Sequence, residues 1–225
     1  MFHVVDFEKW ERREHFKYYT ERLKCAYSIT ANLDVTLFKE SLRKNNLKFY
    51  PSFIYCVSYN INSMPEFRMR LGENSQLIVY DIVHPNYTIF HKDDHTFSDI
   101  WSEYTDDFYK FYDNYKCDMK KYSHIKGVKI KANQPKNFYC ISCVPWLTFT
   151  GYSTYSSESS PSLMPIITYG KYHEENGKWL MPFTVTISHA VADGYHVSKL
   201  INSIQETIDK QSFLVSDGVL TPPDA

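Results

Sequence analysis

Residues Lys178–Ser188 alternate regularly enough to dictate a strand with two unlike faces. Phe183, Val185 and Ile187 fall on one side, with His189 next in phase, while Thr184, Thr186 and Ser188 fall on the other. An apolar face must be covered, so such a strand belongs to a sheet with other elements layered against it. Directly after it come Ala190-Val191-Ala192-Asp193-Gly194-Tyr195-His196, a reversal carrying Asp-Gly. Val197, Leu200, Ile201, Ile204 and Ile208 then recur at helical spacing, which predicts a helix beginning near His196. A rigid strand thus delivers His189 to a strand-to-helix junction. A satisfied core histidine is the commoner fate of a lone imidazole. The H-x-x-x-D-G pattern at such a junction argues instead for a functional one, whose backbone is fixed while its side chain faces a cleft.

More strands are expected in the second half. Residues 138–144 alternate, with Phe138, Cys140, Ser142 and Val144 on one face, and 166–172 pairs with 178–188 across the turn signal Glu174-Glu175-Asn176-Gly177. Leu33-Asp34 and 77–81 are weaker strand candidates. Asp34 reads as the N-cap of a helix carrying Val35, Phe38 and Leu42. A buried helix is expected over 51–61, with proline at its favourable first position, and another over 97–122, where aromatics recur on one broad side. Helices and strands mixed along the chain make the fold class α/β. With no repeat and no convincing linker, residues 1–225 are expected to form one domain, with 126–136 and the Ser-rich 153–162 as loops. The tail from about 214 to 225, with Asp217-Gly218 and Pro222-Pro223, is expected to fray.

Charge and glycine content remove several classes of function. Lys and Arg total 25 against 26 Asp and Glu in 225 residues, with no run of five like charges, so the basic stripe of a nucleic-acid binder is missing. Only 7 glycines accompany 19 Tyr and 15 Phe, and no Gly-rich phosphate loop occurs. The first residues carry no basic segment before an apolar one, and no apolar stretch approaches the ~18–20 residues of a membrane span, so a cytoplasmic protein is expected. Five scattered cysteines fit a reducing compartment. The lone Cys140-x-x-Cys143 sits in a strand-like run and lacks the second ligand pair that zinc would want. His91 and His95 lie four apart, but no H-E-x-x-H accompanies them, so no metal site is assigned.

H-x-x-x-D-G resembles the motif of the CoA-dependent acyltransferase superfamily, and further blocks narrow the resemblance to the chloramphenicol acetyltransferase family. They are Trp10-Glu11-Arg12-Arg13-Glu14-His15-Phe16, Phe49-Tyr50-Pro51, Tyr87-Thr88-Ile89-Phe90-His91, Pro145-Trp146, Pro165-Ile166-Ile167-Thr168, Leu180-Met181-Pro182-Phe183 and His189 to Val197. They run almost end to end in order. The resemblance implies a two-layer mixed-sheet sandwich of the CoA-dependent acyltransferase type, acting on chloramphenicol with acetyl-CoA as co-substrate and with no permanently bound cofactor. It implies His189 as general base, Ser142 as the hydroxyl that steadies the oxyanion, and Thr168 as the holder of a water near the intermediate. Asp193 and Arg12 would form a structural ion pair, and Tyr19, Leu23, Cys25 and Phe97 would line the acceptor pocket. It further implies a homotrimer with active sites between subunits, and leaves the CoA contacts unassigned.

The chain departs from the family's pattern in places. Ser188 and Ala192 stand where relatives often carry His and Cys, Cys140 where they often carry Asn, and Lys129 where a Phe is expected. The segment Tyr152-Ser153-Thr154-Tyr155-Ser156 also differs. Cys140, Lys129 and this segment bear on acceptor choice rather than on chemistry, so a different acceptor alcohol is the alternative.

Overall fold

The computed structural model describes residues 1–154 and 162–214. Most of the expected 153–162 loop, Tyr155 and Ser156, and the tail with Asp217-Gly218 and Pro222-Pro223 lie outside the described residues. In chain order the elements are β1 (Phe2–Val4), α1 (Arg13–Lys17), a π-helical turn (Tyr18–Arg22), β2 (Ala26–Asp34), α2 (Thr36–Lys44) and α3 (Phe49–Ser63). A 3-10 turn (Pro65–Arg68), β3 (Met69–Leu71), β4 (Leu77–Tyr80), β5 (His84–Phe90), β6 (Phe97–Trp101) and α4 (Phe108–Tyr122) follow. The rest comprises β7 (Phe138–Val144), β8 (Ile166–Gly170), β9 (His173–Glu175), β10 (Lys178–Ser188), α5 (Gly194–Lys210) and a last 3-10 turn (Ser212–Leu214).

The main sheet is ordered β2-β10-β8-β7-β5-β6, with β9 beside the start of β10. It is mixed: β7 runs parallel to β8 and β5, and the other pairings are antiparallel. A small antiparallel sheet, β1-β4-β3, stands apart from it. Helices cover one face: α2 packs on β10, α5 on β2 and α3 on β5, and α3 also meets α4 and α5. Phe183, Val185 and Ile187 point into this layer and are buried. This α/β architecture is the expected one.

Helix α3 is buried on nearly every side, Pro51 to Ile61 included, which matches its apolar sequence. Its polar residues turn inward on its own backbone: Ser52, Ser58 and Asn60 donate to the carbonyls of Lys48, Ile54 and Cys56 at 2.7–2.8 Å. The hairpin signal is realised as Asn176 and Gly177, both at positive φ (51° and 75°), closing a two-residue turn between β9 and β10.

Several expectations are corrected. Residues 97–122 are not one helix: 97–101 pair with β5 as a strand, and α4 starts only at Phe108, where the Asp107 carboxylate accepts the Lys110 N–H. An aromatic-rich run satisfies both periods, and strand pairing decides the first part. The last helix begins at Gly194 because Asp193, not a later residue, caps it. Asp34 ends β2 and still accepts the Thr36 N–H at 3.1 Å, so its capping action comes one residue early. β2 is nine residues long rather than a two-residue fragment, and β8 stops at Gly170.

At Gly170 a Cβ would lie 2.7 Å from the Phe149 ring and 2.8 Å from both the Leu147 carbonyl oxygen and the Pro182 ring. We expect Gly170→Ala to lose about 1–3 kcal/mol of stability through overpacking. Urea unfolding monitored by circular dichroism checks this; a midpoint equal to wild type would show that the strand end has room.

Candidate active site

His189 stands one residue past the end of β10, where its N–H still donates to the Cys25 carbonyl at 2.9 Å and so extends the pairing with β2. The ring is clamped between aromatics. Tyr19, from the π-helical turn, stacks on it with centroids 4.1 Å apart and planes 7° from parallel. Tyr27, level with Ile187 in the β2–β10 register, approaches at 4.9 Å. Nδ1 is sealed from solvent with no hydrogen-bond partner among the described residues, which leaves Nε2 as the nitrogen able to meet a substrate. Burial, helped by the Asp193 carboxylate and opposed by Arg12, pushes the Tyr27 phenol well above its ordinary range, so it stays neutral.

The loop beneath His189 is pinned by charge. Arg12 Nη1 donates to Asp193 Oδ2 at 2.6 Å, and Nη2 reaches the His189 carbonyl at 3.4 Å. The same carboxylate caps α5, accepting the Tyr195 N–H at 3.1 Å on Oδ1. Burial alone would raise the Asp193 pKa, but hydrogen bonds from Arg12 and His196 outweigh it and hold it at about 2. Arg12, from the segment before α1, is thereby joined to a loop 181 residues away.

Ser142 and Thr168 belong to a different surface. The pairings Ser142–Thr168, Thr168–Thr184 and Thr184–Thr30 align four hydroxyls across β7, β8, β10 and β2, on the sheet face away from the helices. Thr30 and Thr184 hydrogen-bond at 2.7 Å, as do Ser28 and Thr186 in the next row. Thr168 is buried, and Ser142 keeps some exposure. At ~3.3 Å per residue and ~4.8 Å per strand, Ser142 lies roughly 19 Å from His189 within one chain. The two therefore do not meet within one chain.

The remaining candidates divide the same way. Tyr19 and Cys25 flank His189, and Leu23 nearby is 51% exposed. Phe97 is 55% exposed and sits on β6, at the far edge of the sheet. By strand alternation Phe97, Asp99 and Trp101 share the face of Ser142, because Asp99 pairs with Thr88, and Tyr87 with Ile141. Lys129 comes against Asp99 through a short parallel bridge. Burial raises the Asp99 pKa, with Asn86 and Lys129 opposing. Burial also pushes the Cys140 and Cys143 thiols up to about 11 and about 12, so this C-x-x-C is a pair of inert strand thiols. His91 is buried against Ser98 Oγ at 2.8 Å in the turn between β5 and β6, not on a helix.

The sequence reading missed a basic cavity of about 500 Å³ lined by Lys39, Arg43, Lys48, Phe49, Tyr112 and Tyr172. Lys39 rests over the rings of Tyr172 and Trp179, 3.9 and 3.3 Å from their centroids. Its lining comes from α2, the start of α3, α4 and the residues after β8, so sequence spacing holds no signal for it.

Comparison with known proteins places this geometry. A solved chloramphenicol acetyltransferase superposes with a TM-score of 0.82 at 23% identity, covering 92% of this chain and 100% of that one. A probable dihydrolipoamide acetyltransferase from Listeria monocytogenes superposes at 0.64 with 12% identity, over 90% and 92% of the two chains. The fold is therefore that of the acetyltransferases that include both. Chloramphenicol acetyltransferases of Clostridium butyricum, Vibrio anguillarum and Campylobacter coli are 38%, 39% and 38% identical to it. Those alignments cover 91%, 92% and 93% of this chain and 94%, 94% and 99% of the relatives. A family model described as chloramphenicol acetyltransferase matches residues 1–205, and the chain belongs to that family.

The Asp193 carboxylate gives an acid-stability prediction. A carboxyl held below its unfolded value stabilises the fold at neutral pH, and that stability drains away as pH falls from ~4 towards about 2. Asp193→Asn should be less stable than wild type at pH 7, with the gap narrowing across this window in parallel urea titrations. A gap independent of pH would show that the Arg12 contact carries no net charge stabilisation.

Proposed function

We propose that this protein transfers the acetyl group of acetyl-CoA to the 3-hydroxyl of chloramphenicol in a ternary complex, and so confers resistance to that antibiotic. The observation that carries the reading is the near full-length identity of 38–39% to chloramphenicol acetyltransferases. His189 acts as general base: Nε2 takes the proton of the 3-hydroxyl as that oxygen attacks the thioester carbon. Ser142 donates its O–H to the resulting oxyanion, and Thr168 beside it holds a water near the intermediate. Collapse breaks the carbon–sulfur bond, and the imidazolium returns its proton to the leaving thiolate. Asp193 and Arg12 hold the base in place; Tyr19, Leu23, Cys25 and Phe97 line the acceptor pocket.

The active unit is a homotrimer, each site lying between two protomers. What supports this is the placement of the site's halves: His189 with Tyr19 at one end of β10, and Ser142 with Thr168 on the hydroxyl face roughly 19 Å away. Phe97 shares the Ser142 face, so the acceptor is gripped from both chains. CoA brings phosphates and a planar base, which suit the cations and aromatic rings of the cavity around Lys39, Arg43 and Lys48. Acetyl-CoA is an intracellular metabolite, so the enzyme works in the cytoplasm. No described helix is long and apolar enough to cross a membrane.

A second reading, transfer to another alcohol, is favoured by one feature: Asp99, Lys129 and Cys140 cluster on the Ser142 face, where an aromatic antibiotic would want apolar surface. Thiol release from acetyl-CoA, followed with and without chloramphenicol, separates the two. We expect chloramphenicol-dependent release that is abolished in His189→Ala and reduced roughly 10²–10³-fold in Ser142→Ala. Release with another alcohol only would overturn the acceptor while keeping the chemistry; no release with any alcohol would overturn the enzyme.

A further inference from the structure

The charged loop under His189 has two more members to which the reading above gives no role of their own. His196, third residue of α5, places Nδ1 2.7 Å from Asp193 Oδ1. A carboxylate oxygen only accepts, so Nδ1 carries the proton, and the longer approach of the Asp193 backbone N at 3.3 Å is not a bond to it. On the other side of the ring, Nε2 lies 3.7 Å from Glu66 Oε1, on the 3-10 turn that follows α3. The side chains of His196 and Glu66 are only 15% and 20% exposed. The two oxygens of Asp193 are therefore divided, Oδ2 to Arg12 and Oδ1 to His196 and the Tyr195 N–H. A continuous line of contacts runs from the His189 carbonyl through Arg12, Asp193 and His196 to Glu66.

We propose that His196, braced by Glu66, is a positioning residue: it fixes the rotation of the Asp193 carboxylate so that Oδ2 meets Arg12, which in turn holds the His189 backbone and the plane of its ring. This rests on His189 being the base, but not on which alcohol is acetylated. A half-turn of a carboxylate about its last bond merely exchanges two equivalent oxygens, but a partial turn points neither oxygen at Arg12 and releases it. A ring nitrogen on Oδ1, itself anchored to a second carboxylate from another element, removes that freedom. If His196 were only a capping side chain, its loss would weaken α5 without a selective effect on turnover.

The test is steady-state thiol release with chloramphenicol and acetyl-CoA for His196→Ala, His196→Gln, Glu66→Gln and the double variant, with His189→Ala as control. We expect His196→Ala to lower kcat roughly 10- to 100-fold with both KM values nearly unchanged, the signature of a misplaced catalytic group. Gln at this position, a long side chain able to donate to Asp193, should restore most of kcat. Glu66→Gln should lower kcat about threefold alone and have no effect on top of His196→Ala, because the two act in series. Wild-type kcat in His196→Ala, failure of Gln to rescue in folded protein, or simple additivity with Glu66→Gln would each overturn the proposal. Should His196→Ala not fold, Glu66→Gln decides alone: wild-type kcat there overturns the proposal. Turnover surviving in His189→Ala overturns the base assignment and this proposal with it; turnover lost there but intact in His196→Ala overturns this proposal only.

Discussion

The period-two alternation of β10 is the constraint on which the rest of the structure depends. Its odd residues, Phe183, Val185 and Ile187, are buried on the face that the helices cover, and a slip of one residue would turn them onto the hydroxyl face. That phase also sets the side on which the next residue, His189, leaves the sheet. The even residues Thr184 and Thr186 join Thr30, Ser28, Thr168 and Ser142 in rows of hydroxyls. One strand thus serves both halves of the proposed site: it ends at His189, the proposed base, and its outer face continues the surface that carries Ser142, the proposed oxyanion donor.

Tying the two halves to one sheet keeps them apart in a single chain. A rigid sheet holds its residues at fixed spacing, so no side-chain rotation closes roughly 19 Å. The proposed function therefore calls for a second copy whose hydroxyl face meets the first copy's His189. The polar contacts at each half are then suited to their tasks. Around His189 the side chains are stacked or charged and tightly paired, which fixes orientation; beside Ser142 the hydroxyls of Thr168, Thr184 and Thr30 follow strand by strand, with Asp99 and Lys129 further along the same face.

Much of this was legible in the sequence because it rests on short-range patterns. The bounds of β7 and β10 follow from alternation, the β9–β10 turn from Asn176-Gly177, and the burial of α3 from its predominantly apolar sequence. β5 drew no expectation, since Pro85 and Asn86 within it are poor strand formers; in the sheet they are held by neighbours on both sides. β2 alternates too, but its small and polar residues dilute the signal on the hydroxyl face. β6 was lost to the aromatic run that precedes α4. At the site, His189 and Asp193 stood out by motif, while the role of Ser142 came from the family resemblance. Arg12, Tyr19 and Phe97 rested on the family resemblance alone, because their partners are distant in the chain. The His196–Glu66 contact and the basic cavity had no local signal at all.

The most direct measurement mixes two inactive variants, His189→Ala and Ser142→Ala, by joint unfolding and refolding, and follows chloramphenicol-dependent thiol release. If each site takes His189 from one chain and Ser142 from its neighbour, random mixing restores about one site in four to wild-type composition, because each site needs the right variant at two positions. Activity rising far above that of either parent, towards about a quarter of wild type per site, is the predicted result. Activity that stays at the level of the parents would mean that both residues serve the site of one and the same chain, and would contradict the account.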